Sequence, residues 1–477
     1  NSIHASEKVN EILVEIERKG LVTNDHIIGA TLVDTYFKCG FVLKAREVFE
    51  KLPIRSVLTW TSMISGYAEH GYVHEAFQCL EQMQVQGISP NALTLMHCLK
   101  VCGNKASIGK CRELHLEIER SGMVEKDIRV GLALVDMYGK SGLLGVAKQT
   151  LENLVVQDVV LWNSLISNYV KHGQSEEALV CFEEMQSKGV IPDAVTLTYT
   201  LKACATMSIR AIRKGRELEA QAKSMDLLDK DMYIASTLVN MYGEHGMLAS
   251  MQEIFDKLPI RNVVLWTVCI SGYVKLGHCK EALELFELMR LEGIPPNAAT
   301  YVCGLKACGS VGATQKIIEL HGEIESMGLL LKDVELGNAF IDAYAKSGSL
   351  IVAKHVFEKL PIHDVVSWNS LLGGYAYHGK IDEFSHSFNR MLFEHMEPDP
   401  ITFLIVLNVT NRIVRPSECD SFFEHLTKHF GVVPSHDHDM QKIRFLCCKG
   451  ILDEAMSMIK RMPSLDNVVA WRVLLSS

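Results

Sequence analysis

The 477-residue sequence has no apolar run long enough to cross a membrane. A membrane-spanning helix needs about 18 or more consecutive apolar residues, and the longest comparable run covers only Ile401 to Val409. The sequence begins at Asn1 and shows neither a signal peptide nor a basic transit segment. We therefore predict a soluble protein, and we expect that its natural start has been removed.

The 14 cysteines are not arranged as a metal-binding or disulfide framework. No two of them stand in C-x-x-C spacing, and Cys102, Cys204 and Cys308 are equivalent positions of a repeat. Zinc sites usually need closely spaced pairs of Cys or His. The pattern therefore favours buried, reduced thiols, and the sequence predicts neither a metal nor another cofactor.

Tryptophan is scarce, and every copy occupies one repeated position. The copies are 102, 104, 102 and 103 residues apart, at Trp60, Trp162, Trp266, Trp368 and Trp471. Similar text surrounds them, as in VLTWTSMISGY and VVLWNSLISNY, and apolar residues follow at helical spacing. We interpret the tryptophans as packing residues in an array of repeats. A chain longer than the ~250 to 300 residues of a single core also favours stacked repeats.

Three motif lengths recur in a fixed order. Motifs of 35, 36 and 31 residues reproduce the tryptophan spacing of 102, and two extra residues near Met207 to Arg213 explain the spacing of 104. Each motif contains two helical patterns separated by a turn, and one helix pair cannot bury both of its faces alone. The predicted fold is therefore all-α, an α-solenoid superhelix of about 13 motifs of 31, 35 and 36–38 residues, with first helices lining the concave surface.

The motif boundaries predict the organisation of the chain. Residues 26–399 form an array of short, standard and long motifs in triplets, and residues 1–25 are a partial long motif. Residues 400–435 are the last long motif, residues 436–467 a degenerate short motif, and residues 468–477 the start of a truncated further motif.

This pattern resembles the pentatricopeptide repeat proteins, in particular the plant PLS subfamily, which alternates long, short and standard motifs. The resemblance is carried by the three lengths, by the VVxWN and VVxWT text, by Val135 to Gly142 and by Lys257 to Asn262. Tetratricopeptide repeats, which are uniform 34-residue helix pairs that usually bind peptides, are the structural relative. A uniform repeat would not produce the 31/35/36 cycle, so a peptide-binding scaffold is the alternative from a different class.

The resemblance implies binding of single-stranded RNA, one base per repeat, through two side chains. The first reader follows the repeated Trp, or stands at the equivalent place in a short motif, and the second reader is the last residue of the motif. The pairs are Thr61 with Asn91, Asn163 with Asp193, Ser236 with Asn262, Thr267 with Asn297, Asn338 with Asp364, and Asn369 with Asp399. By the family rule, Thr or Ser with Asn implies adenine and Asn with Asp implies uracil, which gives 5′-ANNUNAANUU with a target cytidine further 3′.

The remaining motifs depart from this rule. Ala30 with Ser56, Leu132 with Asp158, and the long-motif residues Met96, Thr198 and Val302 specify no base. Residues such as Asn, Asp and Thr also favour helix caps. For any single position, a helix cap and a base reader are therefore both open interpretations. Because we expect the first readers on the surface of the concave face, Asn369→Thr should change stability by less than about 0.5 kcal/mol.

The net charge of −9 argues against RNA, because neutralisation of phosphates dominates nucleic-acid affinity. Acidic residues, however, crowd the second helices, as in Glu176 to Met185, whereas the first helices carry lysines. The lysines expected to contact the RNA backbone are Lys38, Lys100, Lys140, Lys171, Lys202, Lys275, Lys306 and Lys346. Solvated helix charge is the alternative for any one of them.

The text of Val468 to Ser477, VVAWRVLLSS, resembles the opening of the extension motif in plant organellar RNA-editing factors. Complete factors often continue into a cytidine-deaminase-like domain, whose zinc site is recognised by H-x-E and C-x-x-C motifs. H-x-E occurs at His115, His321 and His395, but without any C-x-x-C, so we predict no enzyme activity in these residues. The HDHD text that starts at His436 favours a solvated turn over a metal site.

These observations predict sequence-specific binding of single-stranded RNA in a mitochondrion or chloroplast, to select a cytidine for C-to-U editing by a deaminase supplied elsewhere. RNA splicing, processing or stabilisation are the nearest alternatives. The expected partners are organellar RNA and, for editing, a deaminase-domain protein or accessory factors. Neither a membrane nor a small-molecule substrate is expected.

Overall fold

The computed structural model describes residues 26–101, 108–207, 211–228, 230–330, 333–413, 440, 443, 452–461 and 471. In these residues the regular structure is helical throughout, and no helix among them is long and apolar enough to cross a membrane. Contacts divide the chain into two compact units, residues 1–241 and 242–477. We describe each unit by itself.

The first unit consists of short helices. They are α1 His26–Lys38, α2 Val42–Lys51, α3 Val57–Glu69, α4 Val73–Val85, α5 Ala92–Val101, α6 Ile108–Ser121, α7 Met123–Lys126, α8 Ile128–Lys140, α9 Leu144–Asn153, α10 Val159–Lys171, α11 Ser175–Ser187, α12 Ala194–Thr206 and α13 Ile212–Ser224. The next helix, α14 Met232–Glu244, contains the unit boundary.

The second unit repeats this organisation. Its helices are α15 Leu248–Lys257, α16 Val263–Lys275, α17 Cys279–Leu291, α18 Ala298–Val311, α19 Thr314–Ser326, α20 Val334–Lys346, α21 Leu350–Lys359, α22 Val365–Tyr377, α23 Ile381–Phe393, α24 Pro400–Ile413 and α25 Leu452–Arg461.

The first helix of each motif packs against the first helix of the next. In the first unit α1, α3, α5, α8, α10 and α12 contact one another in this order, and in the second unit α16, α18, α20, α22 and α24 do the same. Within each unit, second helices pack on the first helices of their own motifs, as α11 packs on α10 across a turn in which Gly173 has φ +73°. Successive first helices approach closely, since a Cβ on Gly66 would lie 2.1 Å from the Phe37 ring.

The repeated tryptophans lie in the core. Trp60, Trp162, Trp266 and Trp368 are fully buried, and Trp266 meets the ring of Phe255 edge-on with 4.7 Å between ring centroids. Their interpretation as packing residues is therefore confirmed for these four. The expected buried thiols are also confirmed for eight of the ten described cysteines, and burial raises the pKa of Cys204 and Cys269 to about 12.

Stacked helix pairs within each unit confirm the predicted all-α solenoid. The proposed division into triplets and terminal motifs stays a prediction. The partial motif in 1–25, most of the last long and degenerate short motifs, the HDHD text and all of 468–477 except Trp471 lie outside the described residues.

Candidate nucleic-acid interface

The two predicted readers of a motif meet because successive first helices lie side by side. The first reader is always the fifth residue of a first helix, as Asn163 is in α10, and the second reader directly precedes the next first helix, as Asp193 precedes α12. Asp193 is the N-cap of α12 and accepts a hydrogen bond from the backbone of Thr196. The side chains of both readers therefore meet at a junction between two repeats.

At Asn163 the junction forms a closed set of hydrogen bonds. The Asn163 Nδ2 amide donates to Asp193 Oδ1 over 3.0 Å. The Thr196 hydroxyl donates to Asn163 Oδ1 over 2.6 Å and lies 2.9 Å from Asp193 Oδ1. A carboxylate can only accept, so it holds the nitrogen side of the Asn163 carboxamide.

The second unit contains the same arrangement twice. Asn338 donates to Asp364 over 3.1 Å and accepts from Ser367 over 2.6 Å. Likewise, the Asn369 amide donates to Asp399 over 2.9 Å, and its Oδ1 accepts from the Thr402 hydroxyl over 2.7 Å. All three Asn/Asp pairs are therefore brought together by the fold.

The two Thr/Asn pairs are joined through an intermediate hydroxyl instead. Thr61 donates its hydroxyl to the Val57 carbonyl over 2.7 Å and lies 2.7 Å from the Thr94 hydroxyl. Thr94 in turn lies 2.8 Å from Asn91 Oδ1. The second unit has the same bonds, with Thr267 to Thr300 at 2.7 Å and Thr300 to Asn297 at 2.8 Å.

Ser236 and Asn262 fall in different units and are described singly. Ser236 donates its hydroxyl to the Tyr233 carbonyl over 3.0 Å. The Asn262 side chain caps α16 by accepting from the backbone of Leu265 over 2.9 Å.

The motifs without an assigned base lack this polar junction. Ser56 and Asp158 act as N-caps, but the first readers in their motifs, Ala30 and Leu132, carry no polar atom. In the long motifs Met96 is partly buried, Val302 is buried, and Thr198 donates its hydroxyl to its own helix at Ala194 over 2.8 Å.

The expectation that first readers are surface residues is wrong for the asparagines. Asn163, Asn338 and Asn369 are only 8%, 6% and 7% exposed, because each is held between two adjacent first helices. A substitution such as Asn369→Thr therefore removes hydrogen bonds inside a packed junction, and we no longer expect it to be neutral. For the second readers the cap role is confirmed by the bonds, whereas the reading role stays a prediction.

The hydrogen bonds leave defined groups unused. An Asn side chain has two N–H donors and two acceptor lone pairs, and the junction uses one of each in Asn163, Asn338 and Asn369. In Thr/Asn motifs, Oδ1 of Asn91 and Asn297 is occupied by the cap, and within the described residues no protein acceptor meets their Nδ2 groups. The first reader of each Asn/Asp junction can therefore still offer a partner one donor and one acceptor, and Asn91 and Asn297 can offer their Nδ2 donors.

The carboxylates of the Asn/Asp junctions are held in the charged form. Burial alone would raise the pKa of Asp193, but hydrogen bonds from the Thr196 backbone, the Asn163 amide and the Thr196 hydroxyl together lower it below its ordinary value. The pKa values of Asp364 and Asp399 are lowered by the same balance of burial against hydrogen bonds. The three junctions are therefore anionic at neutral pH.

One groove in the first unit connects three consecutive first-reader positions. It has a volume of about 720 Å³, and Met96, Leu132 and Asn163 all line it. Lys100 and Lys140 lie along the same groove. Asp136, which pairs with Lys140 over 2.6 Å, also lines the groove. The Asn163 junction therefore has apolar side chains and Lys100 beside it, which suit base faces and phosphates.

An exposed apolar residue that was not predicted lies three positions before the first reader in each standard motif. The second residues of the standard-motif first helices are 46–53% exposed, at Leu58, Val160, Val264 and Val366. Val160 lines the groove together with Asn163. The apolar pair that begins each of these helices was a visible signal for these residues.

The predicted backbone lysines differ in their surroundings. Those of the short motifs are paired four residues back, with Lys38 at 2.7 Å from Asp34, Lys140 at 2.6 Å from Asp136 and Lys346 at 2.8 Å from Asp342. Lys275 pairs with Glu244, and Lys202 lies 2.9 Å from the Tyr233 hydroxyl. In the part of the chain that the structure describes, Lys100, Lys171 and Lys306 form neither an ion pair nor a side-chain hydrogen bond, and their contact with RNA phosphates stays a prediction.

The two equivalent H-x-E histidines have packing roles. His115 Nδ1 lies 2.9 Å from the Tyr138 hydroxyl, and His321 Nδ1 lies 3.0 Å from that of Tyr344. Burial lowers the pKa of both imidazoles. The same His–Tyr contact occurs in both units, as expected for one position of a repeat.

Profiles of a known repeat family match several segments of the chain. A profile of the PPR repeat family matches residues 55–104, 157–206, 261–310 and 363–410, and a PPR repeat profile matches residues 31–57 and 338–364. A mitochondrial pentatricopeptide repeat-containing protein of Arabidopsis thaliana is 30% identical over 458 residues, which are 95% of this chain and 69% of that protein. The chain belongs to the pentatricopeptide repeat family.

Other pentatricopeptide repeat proteins are longer than this chain. A chloroplastic one from Arabidopsis thaliana is 30% identical over 467 residues, which are 98% of this chain and 53% of the relative. The chain thus spans about half the length of that relative. Membership in the PLS subfamily stays a prediction that rests on the three motif lengths.

Solved structures of the family have the same fold. The crystal structure of pentatricopeptide repeat protein PPR10 from maize matches with a TM-score of 0.63 and 18% identity, over 98% of this chain and 73% of that one. The structure of PPR10 in complex with an 18-nt psaJ RNA element matches with a TM-score of 0.67 and 19% identity, over 86% of this chain and 61% of that one.

Proposed function

We propose that this pentatricopeptide repeat protein binds single-stranded RNA in a plant organelle, reading one base per repeat. The observation that carries the proposal is the recurrence of one polar junction, Asn with Asp and a buried hydroxyl, at Asn163, Asn338 and Asn369. The groove beside Asn163 is lined by apolar and basic side chains, which suit stacked bases and phosphates. The organelle is supported by relatives named chloroplastic and mitochondrial, and RNA by PPR10, whose structure holds an RNA element.

The unused groups of each junction support the base assignments. Uracil presents one N–H between two carbonyl oxygens on its pairing edge, and an asparagine with one N–H and one lone pair left can pair with such an edge. Adenine presents an amino group beside a ring nitrogen acceptor. The two Thr/Asn junctions offer an amide donor on Asn91 or Asn297 beside a threonine oxygen, which suits that edge.

A binding measurement tests the proposal. The probe is 5′-ACCUCAACUU, the assigned sequence with cytidine at each blank position, and the comparison is a scrambled RNA of the same composition. We expect tighter binding of the probe, with each wrong assigned base costing about 1 to 3 kcal/mol, and affinity that falls steadily as salt is raised. Equal affinity for both RNAs would rule out sequence-specific reading.

The cellular role that we propose is selection of a cytidine for C-to-U editing by a deaminase supplied outside these residues. The resemblance of Val468 to Ser477 to the extension motif of editing factors supports it. In plants that lack the protein, we expect one organellar cytidine, a few nucleotides 3′ of a match to the assigned sequence, to remain unedited. Normal editing with an unspliced, unprocessed or unstable transcript would instead assign one of the alternative roles.

A further inference from the structure

A fully buried hydroxyl stands at the third position of six described first helices. One of them is Thr59, and the other five lie behind predicted readers. These five residues are Thr94, Thr196, Thr300, Ser367 and Thr402, and none of them is exposed. Because they are buried, these side chains cannot contact RNA directly, and none of them is among the predicted readers. Each nevertheless lies within hydrogen-bond distance of both readers of the preceding junction.

The distances place this hydroxyl between the readers. Thr402 Oγ1 lies 2.7 Å from Asn369 Oδ1 and 2.8 Å from Asp399 Oδ1. It also accepts the backbone N–H of Asp399 over 3.2 Å. The Thr196 hydroxyl has the same three partners in the first unit, so the arrangement does not depend on one local packing.

The chemistry of the three groups fixes the orientation of the reader. The carboxylate accepts only, so it binds the Nδ2 side of the asparagine carboxamide. The hydroxyl has one proton, and donation to Oδ1 of the asparagine holds the other side. Rotation of the carboxamide by half a turn would place Oδ1 against the carboxylate, so that two acceptors face each other, and would also remove the hydrogen bond from the hydroxyl to Oδ1. The asparagine therefore presents its remaining N–H and its remaining lone pair to a base in one fixed orientation.

The distribution of the hydroxyl follows the readers. It is present where the first reader is Asn163, Asn338 or Asn369, or one of the threonines Thr61 and Thr267. Leucine replaces it at Leu161 and Leu265, which follow the motifs of Leu132 and Ser236. Apolar residues also stand at this position after the long motifs, at Val130, Ile234 and Leu336. Thr59 has the hydroxyl although it follows the motif of Ala30, and it donates this hydroxyl to the Ser56 carbonyl over 2.8 Å.

We propose that the third-position hydroxyl is a positioning residue that sets base specificity, because it fixes which edge of the first reader faces the RNA. This inference rests on the proposed reading of bases by the first and second readers. It adds a third residue, supplied by the following repeat and out of contact with the base.

The test exchanges one hydroxyl in each unit for a methyl group of the same shape. Thr196→Val and Thr402→Val are compared with wild type for binding to 5′-ACCUCAACUU and to RNAs with A, C or G at its fourth or tenth base. Thr196→Ser keeps a hydroxyl at this position, as Ser367 provides one in the wild-type chain. Thr59→Val is the matched control, because its junction has no polar first reader. Thermal unfolding of every variant is recorded alongside.

We expect a crossed result. Thr196→Val should reduce discrimination at the fourth base by at least about fivefold and leave the tenth base unchanged, and Thr402→Val should do the reverse. Thr196→Ser should keep wild-type discrimination, and Thr59→Val should change neither base. If a valine variant lowers affinity for all RNAs equally and keeps its discrimination, the hydroxyl is only structural and the inference is wrong. Wild-type protein that does not discriminate at all would instead refute the proposed function itself.

Discussion

Asn369 donates its amide hydrogen to Asp399 over 2.9 Å, although 30 residues separate them in the sequence. The bond joins α22 to the N-cap of α24, so one side chain both links two repeats and forms part of the predicted reading site. Variants of such a residue change packing and recognition together. Stability and base preference therefore have to be measured side by side for each of them.

The first prediction changes the reading pair at the end of the array. Asn369→Thr converts the pair to Thr with Asp, which by the family rule prefers guanine, so the preferred RNA should change from 5′-ACCUCAACUU to 5′-ACCUCAACUG. Thr61 shows that a threonine fits this position and bonds the third-position hydroxyl at 2.7 Å. We expect a loss of about 1 kcal/mol of stability, because the bond to Asp399 disappears. Competition binding on the two RNAs at one salt concentration measures the preference.

The other assigned positions serve as the control for this exchange. Substitutions in the RNA at the first, fourth or ninth base should cost the same in wild type and variant. A variant that still prefers uracil at the tenth base would show that residue 369 does not read a base, and the assignment of every pair would then be open.

The second prediction concerns the core. Trp266→Ala should lower the free energy of unfolding by about 3 to 5 kcal/mol, because the ring is fully buried against Phe255. Phe393→Ala removes an aromatic ring that is 85% exposed and should stay within about 0.5 kcal/mol of wild type. Denaturant unfolding monitored by circular dichroism compares the two. If Trp266→Ala weakened RNA binding without any loss of stability, the assignment of this residue to packing would be wrong.

The third prediction follows from the lowered pKa of Asp193. Burial opposes ionisation, but the hydrogen bonds of Thr196 and Asn163 outweigh it, so the folded-state pKa lies below the unfolded value of about 3.9. The stabilisation by the carboxylate is therefore complete above the unfolded pKa and is lost as pH falls through the folded pKa. Asp193→Asn keeps the cap, so its deficit in unfolding free energy should be largest near neutral pH and shrink below about pH 4. A deficit that is independent of pH would contradict the assigned ionisation.

The fourth prediction compares a lysine without an ion pair and a paired lysine by the salt dependence of RNA binding. Lys171→Ala should lower the slope of log affinity against log salt concentration by about 0.7 for the lost phosphate contact, because Lys171 forms no ion pair among the described residues. Lys140→Ala is the matched variant, and its effect should be smaller because Asp136 already neutralises Lys140 at 2.6 Å. Equal slopes for Lys171→Ala and wild type would place Lys171 away from the RNA.

Much of the fold could be predicted from the sequence because it is repeated. The spacing of the tryptophans located the helix pairs, and the first and second readers were placed at equivalent positions in every motif. That Asn163 and Asp193 touch follows from stacking of first helices, which the repeat pattern implied. Even the pairing of Lys140 was visible, since Asp136 precedes it by one helical turn.

The side-chain environment of the readers could not be predicted in the same way. Periodicity places a residue on a helix face, but it does not show how closely the neighbouring helix approaches. That approach buries Asn163, Asn338 and Asn369, which were expected on the surface. The role of Thr196 was also hidden, because the D-x-x-T text from Asp193 reads as an ordinary cap until the contact with Asn163 is seen.

The central claim is that base preference follows the reader pairs along the chain. Selection of bound sequences from a random RNA pool, followed by sequencing, measures this preference without any assumed target. The account predicts enrichment of 5′-ANNUNAANUU, with adenine and uracil at the six assigned positions and weak preference at the four blank ones. Enrichment of an unrelated sequence, or strong preference only at the blank positions, would contradict it.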